Sequence, residues 1–225
     1  MDVVRLNSAH ASIEGAQKVV DNVRKVSDRI AILIDTKGPE IRLAAMDSSA
    51  GFVLRQGERI DFINSTTVLC SREHLCTNCA SFVKDVPTGA HILIDDGSAD
   101  LVVVDKNDDR LVCEAQNTAV IKGRKSINVP GVAIELPSLT DKDRMFIEWA
   151  IDADIEFVAH SFVRSCKDLA EIKEMISSKD SHLKIISKIE NQQGIDNLED
   201  ILNDCYGVMI ARGDLGVEIP AEKIP

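Results

Sequence analysis

Four short runs in this chain are apolar for most of their length and turn polar at their carboxyl ends. They are residues 30–35 (IAILID), 155–162 (IEFVAHSF), 184–190 (KIISKIE) and 207–214 (GVMIARGD). A strand with one wet face alternates apolar and polar residues, whereas a near-continuous β-branched run suits a strand covered on both faces, as in a parallel sheet. A shorter run, residues 2–6 (DVVRL), precedes them. After it, Ile13, Ala16, Val19, Val20, Val23 and Val26 fall at helical spacing, behind Ser12 as N-cap and Glu14 in the first turn. Ser138–Thr140 opens a helix over 142–150, with Asp141 and Asp143 in its first turn. Further helices are expected over 167–177 and 195–202. The last three strands begin at 155, 184 and 207, one βα unit apart, which calls for right-handed crossovers between parallel strands.

Residues 43–135 interrupt this rhythm. Pieces at 51–54, 59–63, 91–94, 101–104 and 110–115 are β-rich, the turn signals between them include Pro87-Thr88-Gly89 and Asp95-Asp96-Gly97, and no helix of useful length is expected. The chain thus divides into a first α/β part (1–42), a small inserted all-β module (43–135) and a second α/β part (136–225). Periodicity alone admits a (β/α)8 barrel segment or an open doubly wound sheet. No G-x-G-x-x-G follows any strand, which argues against a dinucleotide-binding fold.

Charge and composition exclude some functions. With 26 Lys+Arg against 37 Asp+Glu the net charge is −11, unsuited to nucleic acid or an anionic membrane. No apolar run is long enough to span a bilayer, and residues 1–10 lack a signal-peptide core, which points to the cytoplasm. Of the six cysteines, Cys70, Cys76 and Cys79 form, with His74, a C-x5-C-x2-C run that could hold a structural zinc. It lacks a second paired half, so reduced thiols in a loop are the plainer reading.

In either fold chemistry belongs at the carboxyl ends of the strands. There the chain places Asn7 and His10; Asp35, Thr36, Lys37, Glu40 and Arg42; Ser161 and Arg164; Lys188 and Glu190; and Arg212 and Asp214. Strand alternation puts Lys188 and Glu190 on one face. Read as neighbouring strand ends, Glu190 and Asp214 are about 5 Å apart. Two such carboxylates repel, and a hard cation such as Mg2+ relieves them. Lys188, with Arg5 and Arg42, adds the positive charge that suits a phosphoryl group or a developing enolate. For an isolated Lys-x-Glu a salt bridge is the plainer reading. A hairpin turn is the plainer reading for Asp95-Asp96-Gly97, and a solvated basic turn for Lys122, Arg124 and Lys125. A basic module could also serve as a lid over phosphates.

The segments MDVVRLNSAH, IDTKGPEIR, ILIDDG, KGRKSINVPG, LPSLTDKD, FVAHSFVR, KIISKIENQQG and VMIARGDLGVEIP resemble, in this order, the motifs of the pyruvate kinase family. KIISKIEN and ARGDLGVEIP are the most specific. The resemblance implies a (β/α)8 TIM barrel with an all-β lid domain after its third strand. This chain would carry strands two to six of it, a truncated piece inactive alone, from a protein that is a homotetramer at full length. It implies transfer of the phosphoryl group of phosphoenolpyruvate to ADP, giving pyruvate and ATP in glycolysis, with Mg2+ (or Mn2+) and K+ as cofactors. On that resemblance Lys188 and Arg5 are catalytic, Lys188 neutralising the phosphoryl group in flight. Arg5, Lys188, Arg42, Gly213 and Asp214 bind substrate. Asn7, His10, Lys125 and Asp96 face the nucleotide. Glu190 and Asp214 hold Mg2+, and Asn7, Asp35 and Thr36 ligate K+.

The sequence departs from the family's pattern at RLNSAH, where RLNFSH is usual. Ala9 stands where a serine hydroxyl ligates potassium, and Ser8 is one residue out of register, so its side chain is expected to point elsewhere. Glu40 resembles the potassium-dependent members, which favours a retained, weaker site. Ser126 replaces a lid glycine. Two other readings compete. One is a Mg2+-dependent barrel aldolase or lyase acting on pyruvate or an enolpyruvate, disfavoured by the β insertion and by Lys188 two residues before Glu190. The other is a non-catalytic fragment that binds a ligand or a subunit.

Overall fold

A computed structural model describes residues 1–225, with side chains for all but Ala221. In chain order it begins with β1 (Val3–Asn7), α1 (Ile13–Val26) and β2 (Ala31–Asp35). Then come β3 (Phe52–Leu54), β4 (Arg59–Ile63), β5 (His74–Leu75), α2 (Phe82–Asp85), β6 (His91–Ile94), β7 (Ala99–Lys106), β8 (Arg110–Ala115), β9 (Ala119–Ile121) and β10 (Ile127–Asn128). The chain continues with α3 (Asp141–Asp152), β11 (Phe157–His160), α4 (Ala170–Ser178), β12 (Lys184–Ile189), α5 (Gln192–Asp196), α6 (Leu198–Asp204), β13 (Gly207–Ile210) and α7 (Arg212–Glu218). These form two compact units. One is Met1–Pro39 with Pro137–Arg212, the other Glu40–Leu136 with Gly213–Pro225.

The first unit is a five-stranded, all-parallel sheet in the order β1-β2-β11-β12-β13. Sheet order equals chain order with no reversal, so this is a half-barrel wound in one direction, not a doubly wound sheet with a switch point. Register settles the faces. Asn7 stands opposite Asp35, Asp35 opposite Ala159, Ala159 opposite Ile186, and Lys188 opposite Met209. The other face, carrying Ile32, Ile34, Val158, Ile185 and Ile189, packs on Ala16 and Val20 of α1, Phe146, Ile147 and Ala150 of α3, and Ile172 of α4. Local chemistry starts these helices. Ser12 accepts from the Gly15 N–H at 3.1 Å, and Thr140 and Asp143 close a capping box on α3.

The second unit has a six-stranded sheet, β10-β6-β7-β8-β4-β5, and a two-stranded one, β3-β9. Its pairings are antiparallel except β4 with β5. β7 buries alternate residues, as expected of a sheet with one wet face. The core includes Leu54, Phe62, Phe82, Leu101 and Leu111, with the Phe62 and Phe82 rings 5.3 Å apart. Asp95 and Asp96 (φ 54°) and Gly97 (φ 85°) make the β6–β7 turn, so the hairpin reading holds.

Several elements differ from expectation. β11 spans only Phe157–His160, flanked by Asp154 and Phe162 in left-handed backbone. The helix over 167–177 starts as a 3-10 turn, Cys166–Leu169. Residues 195–202 belong to two short helices, α5 and α6, that meet at Asn197. The run 207–214 is not one strand, because β13 ends at Ile210 and α7 begins at Arg212. Leu215 in α7 and Ile219 just past its end, both buried and at i,i+4 spacing, give this segment its inward face. No helix among the described residues is long and apolar enough to cross a membrane.

Candidate active site

The carboxyl ends of β2, β11 and β12 converge. Lys188 is 8% exposed, and its ammonium lies 2.7 Å from Glu190 Oε1, 3.2 Å from Asp35 Oδ1 and 2.8 Å from Ser161 Oγ. Asp35 and Glu190 are themselves almost fully buried. Burial alone would lower the Lys188 pKa, but Glu190 and Asp35 outweigh it and hold it above the ordinary lysine value. Arg5 ion-pairs with Asp35, its Nε 2.6 Å from Oδ2, while its side chain stays 57% exposed.

The loops behind these strand ends hold the cluster. Ser161 donates its hydroxyl to Thr36 O at 2.7 Å, and its N–H to Thr36 Oγ1 at 3.0 Å. Phe162, at φ 57°, donates its N–H to Glu190 Oε2 at 2.7 Å. A non-glycine residue held in this region marks a site that the surrounding structure over-determines. Gly38 (φ 70°) must be glycine, since a Cβ would sit 2.8 Å from the Phe162 ring and 2.9 Å from Ser161 Cβ. His160, buried, lies 3.4 Å from Thr36 Oγ1, and burial pulls its pKa down to about 4. Arg164 grips Asp168 at 2.7 Å, and these bonds outweigh burial to lower the Asp168 pKa.

Among the expected site residues, the structure gathers Arg5, Asp35, Lys188 and Glu190, with Thr36 beside them. Asn7 faces the same way as Asp35 but spends Oδ1 on the Ala9 N–H at 2.9 Å. His10 is exposed. In the second unit, Arg42 pairs with Glu40 at 2.7 Å and donates to Arg124 O, Lys125 pairs with Asp95 at 3.0 Å, and Asp96 accepts from the Ser126 hydroxyl at 3.0 Å. Gly213 and Asp214 are exposed in the first turn of α7. The placement of Glu190 and Asp214 on neighbouring strand ends is therefore corrected. Asp214 is helical, and the two buried carboxylates that share a cation are Asp35 and Glu190. Sequence reading set Ser161 among the polar strand ends without a role, and gave His160 and Asp143 no part in the site. Ser161, at the end of an apolar run, was the one with a visible signal.

Among the described residues no group of three or more His, Cys, Asp and Glu side chains is arranged to hold a metal ion. Cys70 and Cys76 are buried with their Sγ atoms 3.8 Å apart, and burial pushes the Cys76 thiol up to about 12. Mg2+ needs only one or two carboxylates besides water and substrate oxygens, and the Glu190 carboxylate is of that donor type. For K+, Asn7 and Asp35 are register partners and Thr36 follows directly, an all-oxygen set. Ala9 supplies no side-chain oxygen, and its carbonyl accepts from Lys142 Nζ at 3.0 Å. The Ser8 hydroxyl is buried without a hydrogen-bond partner.

Comparison with known proteins places this geometry. The family profile "Pyruvate kinase, barrel domain" matches residues 1–225. The chain is 49% identical over 226 residues to a pyruvate kinase of Borreliella burgdorferi and 43% identical over 232 residues to one of Geobacillus stearothermophilus. All of this chain is covered in both, against 46% and 39% of those relatives, so it spans less than half their length. The crystal structure of a pyruvate kinase from Cryptosporidium parvum superposes with a TM-score of 0.94 at 36% identity, covering 100% of this chain and 48% of that one. A match along its whole length and a half-barrel with a charged mouth agree: the chain belongs to the pyruvate kinase family.

Proposed function

We propose that the protein carrying this chain transfers the phosphoryl group of phosphoenolpyruvate to ADP, giving pyruvate and ATP, as its family's name states. The observation that supports this most directly is the buried ammonium of Lys188 held between Asp35 and Glu190. Phosphoryl transfer asks little covalent work of a protein; it needs reactants held in line and charge placed where negative charge moves. Lys188, kept protonated by its two carboxylates, supplies a fixed positive charge for the phosphoryl group. Arg5, anchored by Asp35 yet more than half exposed, meets the same group from solvent. Arg42 and the Gly213 backbone complete the substrate contacts, while Asn7, His10, Lys125 and Asp96 serve the nucleotide. Glu190 and Asp214 would hold Mg2+ or Mn2+, and Asn7, Asp35 and Thr36 would hold K+. When bound, these cations neutralise phosphate and carboxylate charge.

The test is an assay of the full-length protein with phosphoenolpyruvate, ADP, Mg2+ and K+. ATP and pyruvate formed in equal amounts is the expected result. No ATP, with cleavage of a 2-oxo acid in the same sample, overturns the proposal in favour of a lyase.

A further inference from the structure

Asp143 enters the sequence as a helix-capping residue, but its carboxylate does more. It is fully buried and accepts four hydrogen bonds. Two are local: the Thr140 N–H at 3.1 Å and the Thr140 hydroxyl at 2.6 Å, both on Oδ2. Two come from more than a hundred positions earlier: the Lys37 N–H at 2.9 Å on Oδ1 and the Gly38 N–H at 3.2 Å on Oδ2. Lys37 and Gly38 follow Asp35 and Thr36 directly, so the same carboxylate that starts α3 fixes the backbone leaving β2. That backbone presents Thr36 O and Thr36 Oγ1 to Ser161, and Ser161 Oγ in turn accepts from Lys188 Nζ. The chain of contacts runs from a residue remote from the ammonium to the ammonium itself.

We propose that Asp143 is a positioning residue for phosphoryl transfer, its carboxylate clamping the Lys37 and Gly38 amides and so setting the Thr36–Ser161 pair against which Lys188 is seated. The inference rests on the function proposed above. A carboxylate offers about four lone-pair sites and here meets four donors. In asparagine one of the two oxygens becomes an NH2 group that donates and cannot accept, so a donor faces at least one of the clamped amides, Lys37 on the Oδ1 side or Gly38 on the Oδ2 side. Without the clamp the loop is free to shift, and a resulting misplacement of Lys188 on the scale of 1 Å costs roughly 10²-fold in rate.

The experiment uses the full-length protein and three forms: wild type, Asp143→Asn and Thr140→Ala. Thr140→Ala removes the cap hydroxyl and leaves both clamp bonds. The readouts are kcat and KM for phosphoenolpyruvate, thermal midpoint, and amide exchange at Lys37 and Gly38. Asp143→Asn is expected to lose kcat by roughly 10²-fold with KM little changed, and to exchange faster at Lys37 and Gly38. Thr140→Ala is expected to lower the thermal midpoint while keeping kcat and the protection of both amides. Turnover retained by Asp143→Asn, or an equal kcat loss in Thr140→Ala, overturns the inference. Should Asp143→Asn not fold, Asp143→Glu, which keeps the charge and shifts it by one methylene, is read the same way. A wild type without turnover overturns the proposed function instead.

Discussion

The two units bury different things. Eleven polar or charged side chains are buried among the described residues, and only Thr77 belongs to the second unit. The other ten, from Ser8 to Glu190, are in the half-barrel, with Asp35, Thr36, Ser161, Lys188 and Glu190 at its strand ends. In the second unit the core is apolar and the ion pairs are surface ones, such as Arg59–Glu114, Arg72–Glu58 and Arg110–Asp61, whose arginines are about half exposed. Exposed pairs of this kind contribute about 0–1 kcal/mol each. The β unit is therefore held by hydrophobic burial, whereas the half-barrel spends part of its stability on desolvated charge that only chemistry requires.

Lys188→Met attacks the half-barrel where this cost is concentrated. It leaves Asp35 and Glu190 buried without their shared cation, and breaking such a pair costs about 3–5 kcal/mol. Activity of the full-length protein should fall about 10³-fold or more, the scale of losing a principal electrostatic stabiliser. Steady-state kinetics and thermal midpoints check both. The distinction between the units fails if amide exchange in β4, β7 and β8 rises as much as in β2 and β12.

Phe62→Ala is the reciprocal probe. Phe62 is fully buried and packs, with its ring tilted, against Phe82, so truncation should destabilise the second unit by about 3–5 kcal/mol. Limited proteolysis should cut first between residues 40 and 136, while β2 and β12 stay protected. Equal loss of protection in both units would mean that they unfold as one body.

How much of this was legible followed from how local each signal is. Residues 30–35 and 184–190 announced parallel strands because their apolar runs leave no wet face, and two-residue alternation alone put Lys188 beside Glu190. α7 was misread because Arg212-Gly213-Asp214 follows an apolar run without a break. The informative pair, Leu215 and Ile219, lies beyond the point where a strand reading stops looking. What Ser161 and Asp143 hold in place was unreadable for another reason. Their partners, Thr36, Lys37 and Gly38, lie more than a hundred residues away, and only the folded sheet brings them together.

The smallest expected effect separates the units by sign. Burial pulls His160 down to about 4, against Asp143 and Asp168, which favour its protonated form, and with Arg164 and Lys188, which oppose it. Its unfolded value is 6.5. The unfolded state thus takes up the proton first as the solution is acidified, and stability present above pH 6.5 is lost between about 6.5 and 4. The span corresponds to about 3 kcal/mol. Glu218, in the second unit, has its pKa raised by burial, with the Asn128 amide opposing. There the folded state holds the proton more tightly, so stability is gained as pH falls and lost as it rises through that value. Amide exchange followed from pH 7 to pH 5 should show β2 and β11 losing protection while β4 and β8 hold or gain it, after correction for intrinsic rates. His160→Gln should flatten the first response and leave the second. If both units respond alike, burial of His160 does not govern the acid side, and the contrast drawn from buried polarity loses its pH dimension.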